Sequence, residues 1–363
     1  MKYNWQLPDW PKFRYELAEL EGSLLDFVDR AGLVSGTAQT LPESEQNNAI
    51  ADLMAVEALK TSEIEGEVLS RPDVVSSIRN GLGLNNPHQR VRDLASAGAA
   101  ELMLAVRSNW REDLSDSALW DWHRSLMQGA NNVLIGEWRS HLEPMQVVEL
   151  TLGAPKVLYE GPPSAIVPLE MRGFVEWFNA SRGQIRHAPI RAGLAHLYFE
   201  SIHPFEDGNG RIGRALAEKA LFQGAGRPLL LSLSQVIEAD KSSYYAALQS
   251  AQFSNEVTDW LRYFVDMLLR ALDDAQSRVE FVLKKVRFFD RYGEALSERQ
   301  LKVVRRMLDA GPDGFEGGVN ASKYQRLTGV SKPTATRDLQ ELMQKGILSS
   351  IGGGRSTRYE LSI

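Results

Sequence analysis

The chain has 363 residues, of which 43% are apolar and 24% charged, a composition typical of soluble globular proteins. This composition excludes a disordered chain, a collagen-like repeat and a disulfide scaffold. At about 150 residues per domain, the length indicates two or three domains. The sequence contains no cysteine, which excludes thiolate nucleophiles and cysteine-ligated zinc or iron–sulfur sites. Because no apolar run approaches 18 residues and the N-terminus lacks a signal peptide, we expect a cytoplasmic protein that does not enter a membrane.

The net charge of −6 conceals an asymmetry along the chain. Residues 295–363 contain 11 Lys and Arg against 7 Asp and Glu, whereas the rest of the chain contains 30 against 40. The C-terminal segment is therefore basic and the body acidic. The basic excess is compatible with a nucleic-acid contact but is too small to require one.

The apolar spacing of the N-terminal part predicts helices separated by loops. A helix over 15–28 follows an aromatic, proline-punctuated start, and small polar residues predict a loop over 31–41. A second helix is predicted over 48–65, with Gly66 at the position of a C-terminal cap. Further helical patterns cover 91–110, 116–127, 169–179, 190–202, 211–222, 244–248 and 257–286.

A β-rich stretch interrupts the helices between residues 147 and 168. Val147-Val148 and Val157-Leu158-Tyr159 favour strands, and Gly161-Pro162-Pro163 is typical of a turn. We therefore predict a small β-hairpin inserted into a helical domain.

The C-terminal segment has its own pattern. A capping box over 297–300 opens a helix, two short helices are predicted over 322–328 and 332–344, and strands over 347–351 and 359–363 flank a glycine run. This order resembles a winged helix, in which Thr334, Thr336 and Arg337 would face a DNA groove and Arg355 and Arg358 would reach phosphates. Contact with a protein, or dimerisation, is the alternative use of such a module.

These patterns predict a mainly α fold: a helical core with a small β-hairpin flap, plus a C-terminal winged helix-turn-helix domain of α+β type. We divide the chain into an N-terminal accessory segment (1–47), the core (48–275), a linker helix (276–294) and the winged-helix domain (295–363).

One segment carries the chemistry, and it lies between two predicted helices. Residues 203–214 read His-Pro-Phe-Glu-Asp-Gly-Asn-Gly-Arg-Ile-Gly-Arg. Gly208 and Gly210 let backbone N–H groups approach an anion at the start of the following helix, whose dipole favours negative charge. Arg211 and Arg214, three residues apart, share a helix face and can grip phosphate oxygens. These features predict a phosphate cradle.

Two further side chains of this segment suit a reaction at that phosphate. Asp207 offers a hard oxygen ligand of the kind that Mg²⁺ prefers. His203 can take a proton near pH 7. We therefore predict attack of a deprotonated nucleophile on a nucleotide phosphate. The alternative is a purely structural glycine-rich loop. A dinucleotide-binding reading of Gly208, Gly210 and Gly213 is set aside because a helix, not a strand, precedes it.

At every position, the segment matches the signature of the Fic (filamentation induced by cAMP) family, His-Pro-Phe-x-Asp/Glu-Gly-Asn-Gly-Arg-x-x-Arg, and the chain resembles that family over about 50–275. The stretch 136–139 is similar to the family's upstream Gly-x-x-Arg. The predicted hairpin is similar to the family's flap, and Ser243-Tyr244-Tyr245 is similar to its tyrosine pair near the adenine.

The resemblance implies transfer of AMP from ATP to a hydroxyl side chain of a target protein, with Mg²⁺ as cofactor. It makes His203 the general base and Asp207 the metal ligand, and the flap would bind the target as an added strand. It also assigns a set of residues to ATP binding: Gly208, Asn209, Gly210, Arg211, Ile212, Gly213, Arg214, Tyr244 and Tyr245.

Thr61 and Glu65 lie four residues apart in the helix predicted over 48–65, before Gly66. Taken alone, Glu65 would be a solvated surface acid. The stretch resembles the family's inhibitory motif, Ser/Thr-x-x-x-Glu-Gly/Asn, of the class that carries its inhibitor in the same chain. The resemblance implies that Glu65 pairs with Arg214 and so removes this guanidinium from the γ-phosphate.

The sequence leaves several alternatives open. The core would serve either as an enzyme or as the nucleotide sensor of a DNA-binding transcriptional regulator, and the same site would remove AMP or transfer another phosphate-containing group. Self-modification and a homodimer are further expectations for its partners. The isolated histidines, His123, His141, His187 and His196, are predicted as surface or core residues. Arg139 is predicted either at the surface or in contact with substrate.

Overall fold

The computed structural model describes residues 2–131, 133–149, 156–312, 314–353 and 357–362. Within these ranges the fold is mainly α with two small hairpins, which confirms the predicted fold class. The helices are α1 (Glu21–Gln39), α2 (Glu43–Ile64), α3 (Arg71–Gly81), α4 (Leu94–Ser108), α5 (Asp116–Leu126), α6 (Val167–Gln184), α7 (Ala188–Ile202), α8 (Asn209–Ala225), α9 (Leu233–Ala239), α10 (Lys241–Ala251), α11 (Thr258–Tyr292), α12 (Glu298–Leu308), α13 (Ala321–Thr328) and α14 (Lys332–Gln344).

The strands form two separate antiparallel pairs. In the first, β1 (Gln146–Glu149) pairs with β2 (Lys156–Glu160). In the second, β3 (Leu348–Ile351) pairs with β4 (Arg358–Leu361). No helix in the described ranges is both long and apolar enough to cross a bilayer.

The chain divides into two compact units, one of Met1–Ser35 with Ile50–Ala275 and one of Gly36–Ala49 with Gln276–Ile363. In the first unit α7 is the central helix, since all of its residues are buried. A helix that is buried on every side has partners all round, and α6 and α8 pack against it. The turn between α7 and α8 therefore rests on the buried centre of this unit.

The second unit has its own core. Helices α12–α14 and strand β3 bury side chains such as Val304, Leu339 and Leu348. An isolated bridge between Val319 and Tyr359 adds a third backbone segment to the β3–β4 pair. Arg355, predicted on the wing, lies outside the described residues.

The loop predicted over 31–41 is wrong, because α1 continues to Gln39. Ala31, Val34 and Ala38 are buried at helical spacing, so small side chains extend the apolar face of the helix. The predicted helix start at residue 15 is also wrong, since α1 begins at Glu21 after a 3₁₀ turn.

Gly161-Pro162-Pro163 is not the hairpin turn, because it follows β2 and leads into α6. The residues that join β1 to β2 lie outside the described ranges. Two helices were not predicted, α3 and α9, although each begins with a serine cap. Ser70 accepts a hydrogen bond from the Asp73 N–H, and Ser232 from the Gln235 N–H.

Candidate active site

His203 occupies the turn between α7 and α8 in a left-handed conformation, with φ 51° and ψ 62°. Among the described residues other than glycine, it alone has a positive φ. Such a conformation is strained for a residue with a side chain and is common at functional sites. It ends α7, and the His203 N–H donates to the Phe199 carbonyl.

Asn209 holds the loop closed. Its side-chain oxygen accepts from the Phe205 N–H at 2.9 Å, and its amide nitrogen donates to the Phe205 carbonyl at 2.8 Å. The side chain is thus used within the protein, and only the backbone of Asn209 is available to a ligand.

His123 supports the same loop from α5. Its ring stacks on Phe205 at a centroid distance of 4.0 Å and accepts from the Gly136 N–H through Nδ1 at 2.8 Å. Burial lowers the pKa of His123 to about 4, so the ring is neutral and Nε2–H donates to the Asp207 carbonyl at 3.1 Å. His123 is a core residue, as one of the two predicted alternatives has it, and it fixes the backbone of the motif.

Arg139 is neither a surface residue nor exposed to a substrate, so both predicted alternatives are wrong. It is 1% exposed and donates to the carbonyls of His203 at 2.8 Å, Pro162 at 2.5 Å and Ile202 at 3.2 Å. Its remaining Nη atom donates to the Ser164 hydroxyl at 2.9 Å. Burial lowers the pKa of Arg139 to about 10, which leaves it charged at neutral pH. It ties the end of α7 to the segment after β2.

A cavity of about 760 Å³ opens above the motif, between the β1–β2 hairpin, α10 and the end of α2. This is a typical size for a small-molecule site. The predicted site residues that line it are Glu65, His203, Asp207, Gly208, Asn209, Gly210, Arg214, Tyr244 and Tyr245.

The two tyrosines differ in what they offer to the cavity. Tyr244 is buried, and its hydroxyl lies 2.6 Å from His196 Nε2. Burial lowers the pKa of His196, so this core histidine is a neutral partner of the tyrosine. Tyr245 is 37% exposed, so its ring is the one more accessible to a ligand.

Two of the three guanidinium nitrogens of Arg214 donate hydrogen bonds to residues at the end of α2. Nη2 donates to Glu65 Oε1 at 2.7 Å and to the Thr61 carbonyl at 2.9 Å, and Nε donates to the Thr61 hydroxyl at 2.8 Å. Burial alone would lower the pKa of Arg214, but the adjacent Glu65 raises it above its ordinary value. The structure thus brings together the three residues expected to act as a unit.

Arg211, Ile212 and Gly213 do not line this cavity. Arg211 is buried and forms ion pairs with Glu67 and, at 3.4 Å, with Asp207. The Ile212 N–H donates to the Gly208 carbonyl and its side chain lies in the core, so neither is available to an anion.

Asp207 suits the metal assigned to it. Its side chain is 53% exposed at the cavity, and Oδ1 accepts from the Gly208 N–H at 2.6 Å. The described part of the chain contains no cluster of three or more His, Asp or Glu that would enclose a metal. A cation here would take one carboxylate, with phosphate oxygens and water as its other ligands, which is how Mg²⁺ is commonly bound.

Sequence reasoning missed Glu67 and Glu200, which contact Arg211 and His203. Glu67 follows Glu65 by two residues. Glu200 precedes His203 by three residues, which is close to one helical turn. This spacing is the signal that would have found Glu200.

Three family models match separate parts of the chain. Residues 113–221 match the Fic/DOC family. Residues 3–84 match DUF4172, a domain of unknown function, and residues 316–362 match the C-terminal domain of DIP2311-like transcriptional regulators.

Curated relatives named Protein adenylyltransferase Fic are similar to part of the chain. The protein of Drosophila sechellia is 29% identical over 134 residues, which cover 37% of this chain and 26% of that protein. The protein of Culex quinquefasciatus is 31% identical over 103 residues, covering 28% and 19% of the two chains. The match thus spans about a quarter or less of the length of these two relatives.

Solved structures share the fold. A Fic family protein from Desulfovibrio desulfuricans superposes with a TM-score of 0.53 at 19% identity, over 94% of this chain and 96% of that one. Fic-1 from C. elegans gives 0.53 at 21% identity, over 74% of each chain. The family match contains the whole motif of residues 203–214, and with the shared fold it confirms the resemblance: residues 113–221 of this chain match the Fic/DOC family.

Proposed function

We propose that the chain is a protein adenylyltransferase that transfers AMP from ATP to a Ser, Thr or Tyr hydroxyl of a target protein. The observation that carries this proposal is that His203 and the start of α8 open on the same cavity. A base and an anion-binding helix N-terminus then act on one phosphate. The adenylyltransferase names of the curated relatives support it.

In the reaction, the oxygen of the target hydroxyl attacks the α-phosphorus of ATP, and His203 accepts the proton of that hydroxyl. A new phosphorus–oxygen bond forms, the bond to the β-phosphate oxygen breaks, and pyrophosphate leaves. The free N–H groups at the start of α8 and the Arg214 guanidinium stabilise negative charge on the phosphates. Asp207 would hold Mg²⁺, which when bound offsets phosphate charge.

The target segment would bind to the β1–β2 hairpin, whose outer edges have no partner strand among the described residues. The exposed side chains of Val148 and Val157 suit an extended apolar segment. Main-chain hydrogen bonds would then align the target hydroxyl beside His203.

Glu65 inhibits this activity in the same chain. Its carboxylate forms the ion pair with Arg214, so the guanidinium is not available to the γ-phosphate. ATP would bind in a pose that does not react. Removing the carboxylate therefore activates the enzyme, while Thr61 keeps Arg214 in place.

The test is AMP incorporation from α-³²P-ATP and Mg²⁺ by the purified chain, into itself and into host lysate proteins. Glu65→Gly raises the labelling by at least about tenfold, within the usual range of coupling between sites. Glu63→Gly, two residues earlier on α2, controls for the loss of helix propensity and gives no gain. Adding His203→Ala to Glu65→Gly abolishes labelling. No labelling by Glu65→Gly, or labelling that survives His203→Ala, contradicts the proposal.

Removal of AMP from a modified protein is a second reaction that this site would support, with Glu65 orienting a water. Incubating an AMP-modified target with the unmutated chain tests it. Release of AMP that is lost in Glu65→Gly supports this reaction, and a stable label contradicts it.

The C-terminal domain carries a separate proposal, a DNA contact through α14. The exposed side chains of its first two turns include Lys332 and Arg337 and no acid. Arg358 on β4 is also exposed. Helix-turn-helix domains place such a helix in the major groove. A DNA gel shift that is lost in Lys332→Ala/Arg337→Ala supports this contact, and no shift by the unmutated chain contradicts it.

A further inference from the structure

Glu200 presents a buried carboxylate to the ring of His203. It lies in the last turn of α7, its side chain is 6% exposed, and Oε2 is 3.5 Å from His203 Nδ1. Its second oxygen, Oε1, is buried without a hydrogen-bond partner, and so is Nδ1 of His203. Among the described residues, the charged group recorded beside Nδ1 is this carboxylate, through Oε2.

The surroundings make room for this carboxylate. A β-carbon on Gly213 would overlap Glu200 Oε1, so only glycine at this position of α8 lets α7 and the carboxylate approach so closely. Gly213, which the family resemblance assigned to ATP, therefore serves Glu200.

Glu200 is ionised at neutral pH. Burial alone would raise the pKa of Glu200, but its contact with His203 and the positive charge of Arg214 lower it below the ordinary value. An ionised carboxylate has only acceptor atoms, so the ring nitrogen that faces it must carry a proton.

We propose that Glu200 is a positioning residue for His203, which keeps the proton on Nδ1 and so leaves Nε2 free to accept the proton of the target hydroxyl. As the ring becomes positively charged in the reaction, the carboxylate stabilises that charge, as in other carboxylate–histidine pairs. The separation of 3.5 Å exceeds a hydrogen bond, and such contacts shorten when substrate binds. The inference rests on the proposed function, in which His203 is the base.

The experiment compares Glu200→Gln and Glu200→Ala in the Glu65→Gly background. The amide oxygen of Gln still accepts from Nδ1–H but carries no charge, whereas Ala removes the acceptor. We expect kcat for AMP transfer to fall roughly tenfold in the Gln variant and roughly 100-fold in the Ala variant, the range seen for groups that orient a reacting side chain. KM for ATP stays within about twofold, because the Glu200 side chain, although at the cavity wall, is only 6% exposed and acts through His203.

A second readout does not depend on activity. In chain labelled with ¹⁵N-histidine, the chemical shifts of the ring nitrogens report which nitrogen is protonated, and His203→Ala identifies the His203 signals among the six histidines. The Nδ1–H form predominates in the parent and in the Gln variant, and both forms are present in the Ala variant. Asp338→Asn is the control, since it neutralises a buried carboxylate of the C-terminal unit and changes neither readout.

An unchanged His203 tautomer in a folded Glu200→Ala overturns the inference, as does an unchanged kcat in both variants. If circular dichroism shows that the Ala variant is unfolded, kcat of Glu200→Gln tests the inference, and an unchanged kcat overturns it. Absence of AMP transfer by the Glu65→Gly parent is instead a failure of the proposed function, and the tautomer measurement then still tests what Glu200 does to the ring.

Discussion

Glu65 and Gly210 lie so close together that a β-carbon on residue 210 would overlap the Glu65 carboxylate. Gly210 is in the first turn of α8, where backbone N–H groups lack partners within the helix and attract anions. The carboxylate therefore lies where a phosphate oxygen would bind, in addition to pairing with Arg214. In the proposed function, this one side chain would therefore compete with ATP at two contacts.

Gly210→Ala therefore lowers AMP transfer in the Glu65→Gly background. The added methyl group occupies the space through which a phosphate reaches the N–H groups of α8, and it also crowds Arg214 Nη1 at 3.1 Å. We expect a loss of at least about tenfold, measured by label incorporation, with weaker ATP binding by calorimetry. Gly183→Ala is the matched control, because nothing lies within 4 Å of that position on α6. Equal rates in Gly210→Ala and its parent would contradict a phosphate site here.

Glu67→Gln gives a smaller activation than Glu65→Gly. Glu67 pairs with Arg211, but its side chain is 41% exposed, so the ion pair is partly screened by water. We expect initial rates of AMP transfer to rise about two- to fivefold. Asp73→Asn, an acid in the first turn of α3, serves as the charge control. A loss of activity in Glu67→Gln would mean that Glu67 helps to orient Arg211 for catalysis instead of restraining it.

His123 makes the stability of the fold depend on pH. Its pKa is about 4 in the folded state against an ordinary value of 6.5, because the ring is buried. Between these values the unfolded chain binds a proton that the folded chain does not, so stability is lost as the pH falls from about 6.5 to 4. The loss amounts to at most about 3 kcal/mol.

Urea denaturation at several pH values checks this. His123→Gln reduces the loss of stability on acidification, and His141→Gln, at a position where ring Nδ1 lies 2.7 Å from the Glu143 carbonyl, does not. An identical pH slope in His123→Gln and the unmutated chain would refute the assignment.

Arg139→Ala destabilises the first unit by about 2–4 kcal/mol, because it leaves several buried carbonyls without a donor. Arg139→Lys does not restore stability, since an ammonium group cannot reach acceptors spread over the guanidinium plane. Arg124→Ala, at a half-exposed position on α5, costs less than about 1 kcal/mol. Denaturant midpoints measure all three, and equal midpoints for the alanine variants would contradict the anchoring role.

The site was predictable where its parts are close in sequence. Residues 203–214 fold as one turn and helix start, so their chemistry follows from neighbours along the chain. Arg139 was misjudged because its acceptors at 162, 202 and 203 are distant in sequence. No local sequence pattern predicts that a single arginine is buried. Only the fold shows that the Asn209 side chain closes the loop and that Gly213 lies against Glu200.

The fold was predictable where apolar spacing is strong, as in α5, α11 and α14. It was missed where the helix contains several small residues, as over 31–39, because serine and glycine also favour loops in a sequence read alone. Helix α3 was missed since only Val74 and Ile78 are buried on its apolar face. Tertiary packing decides such segments, and it is not visible in local spacing.

Thr61 holds Arg214 by two hydrogen bonds that do not involve the carboxylate of Glu65. Helix α2, which ends one residue before the proposed inhibitory acid, is thus also part of the scaffold that orders the arginine. Cutting α2 away would take the support together with the restraint, and a truncated chain would be a poor guide to the uninhibited enzyme. In the proposed inhibition, release of Arg214 would therefore require a change at the Glu65 side chain alone, while α2 keeps its position.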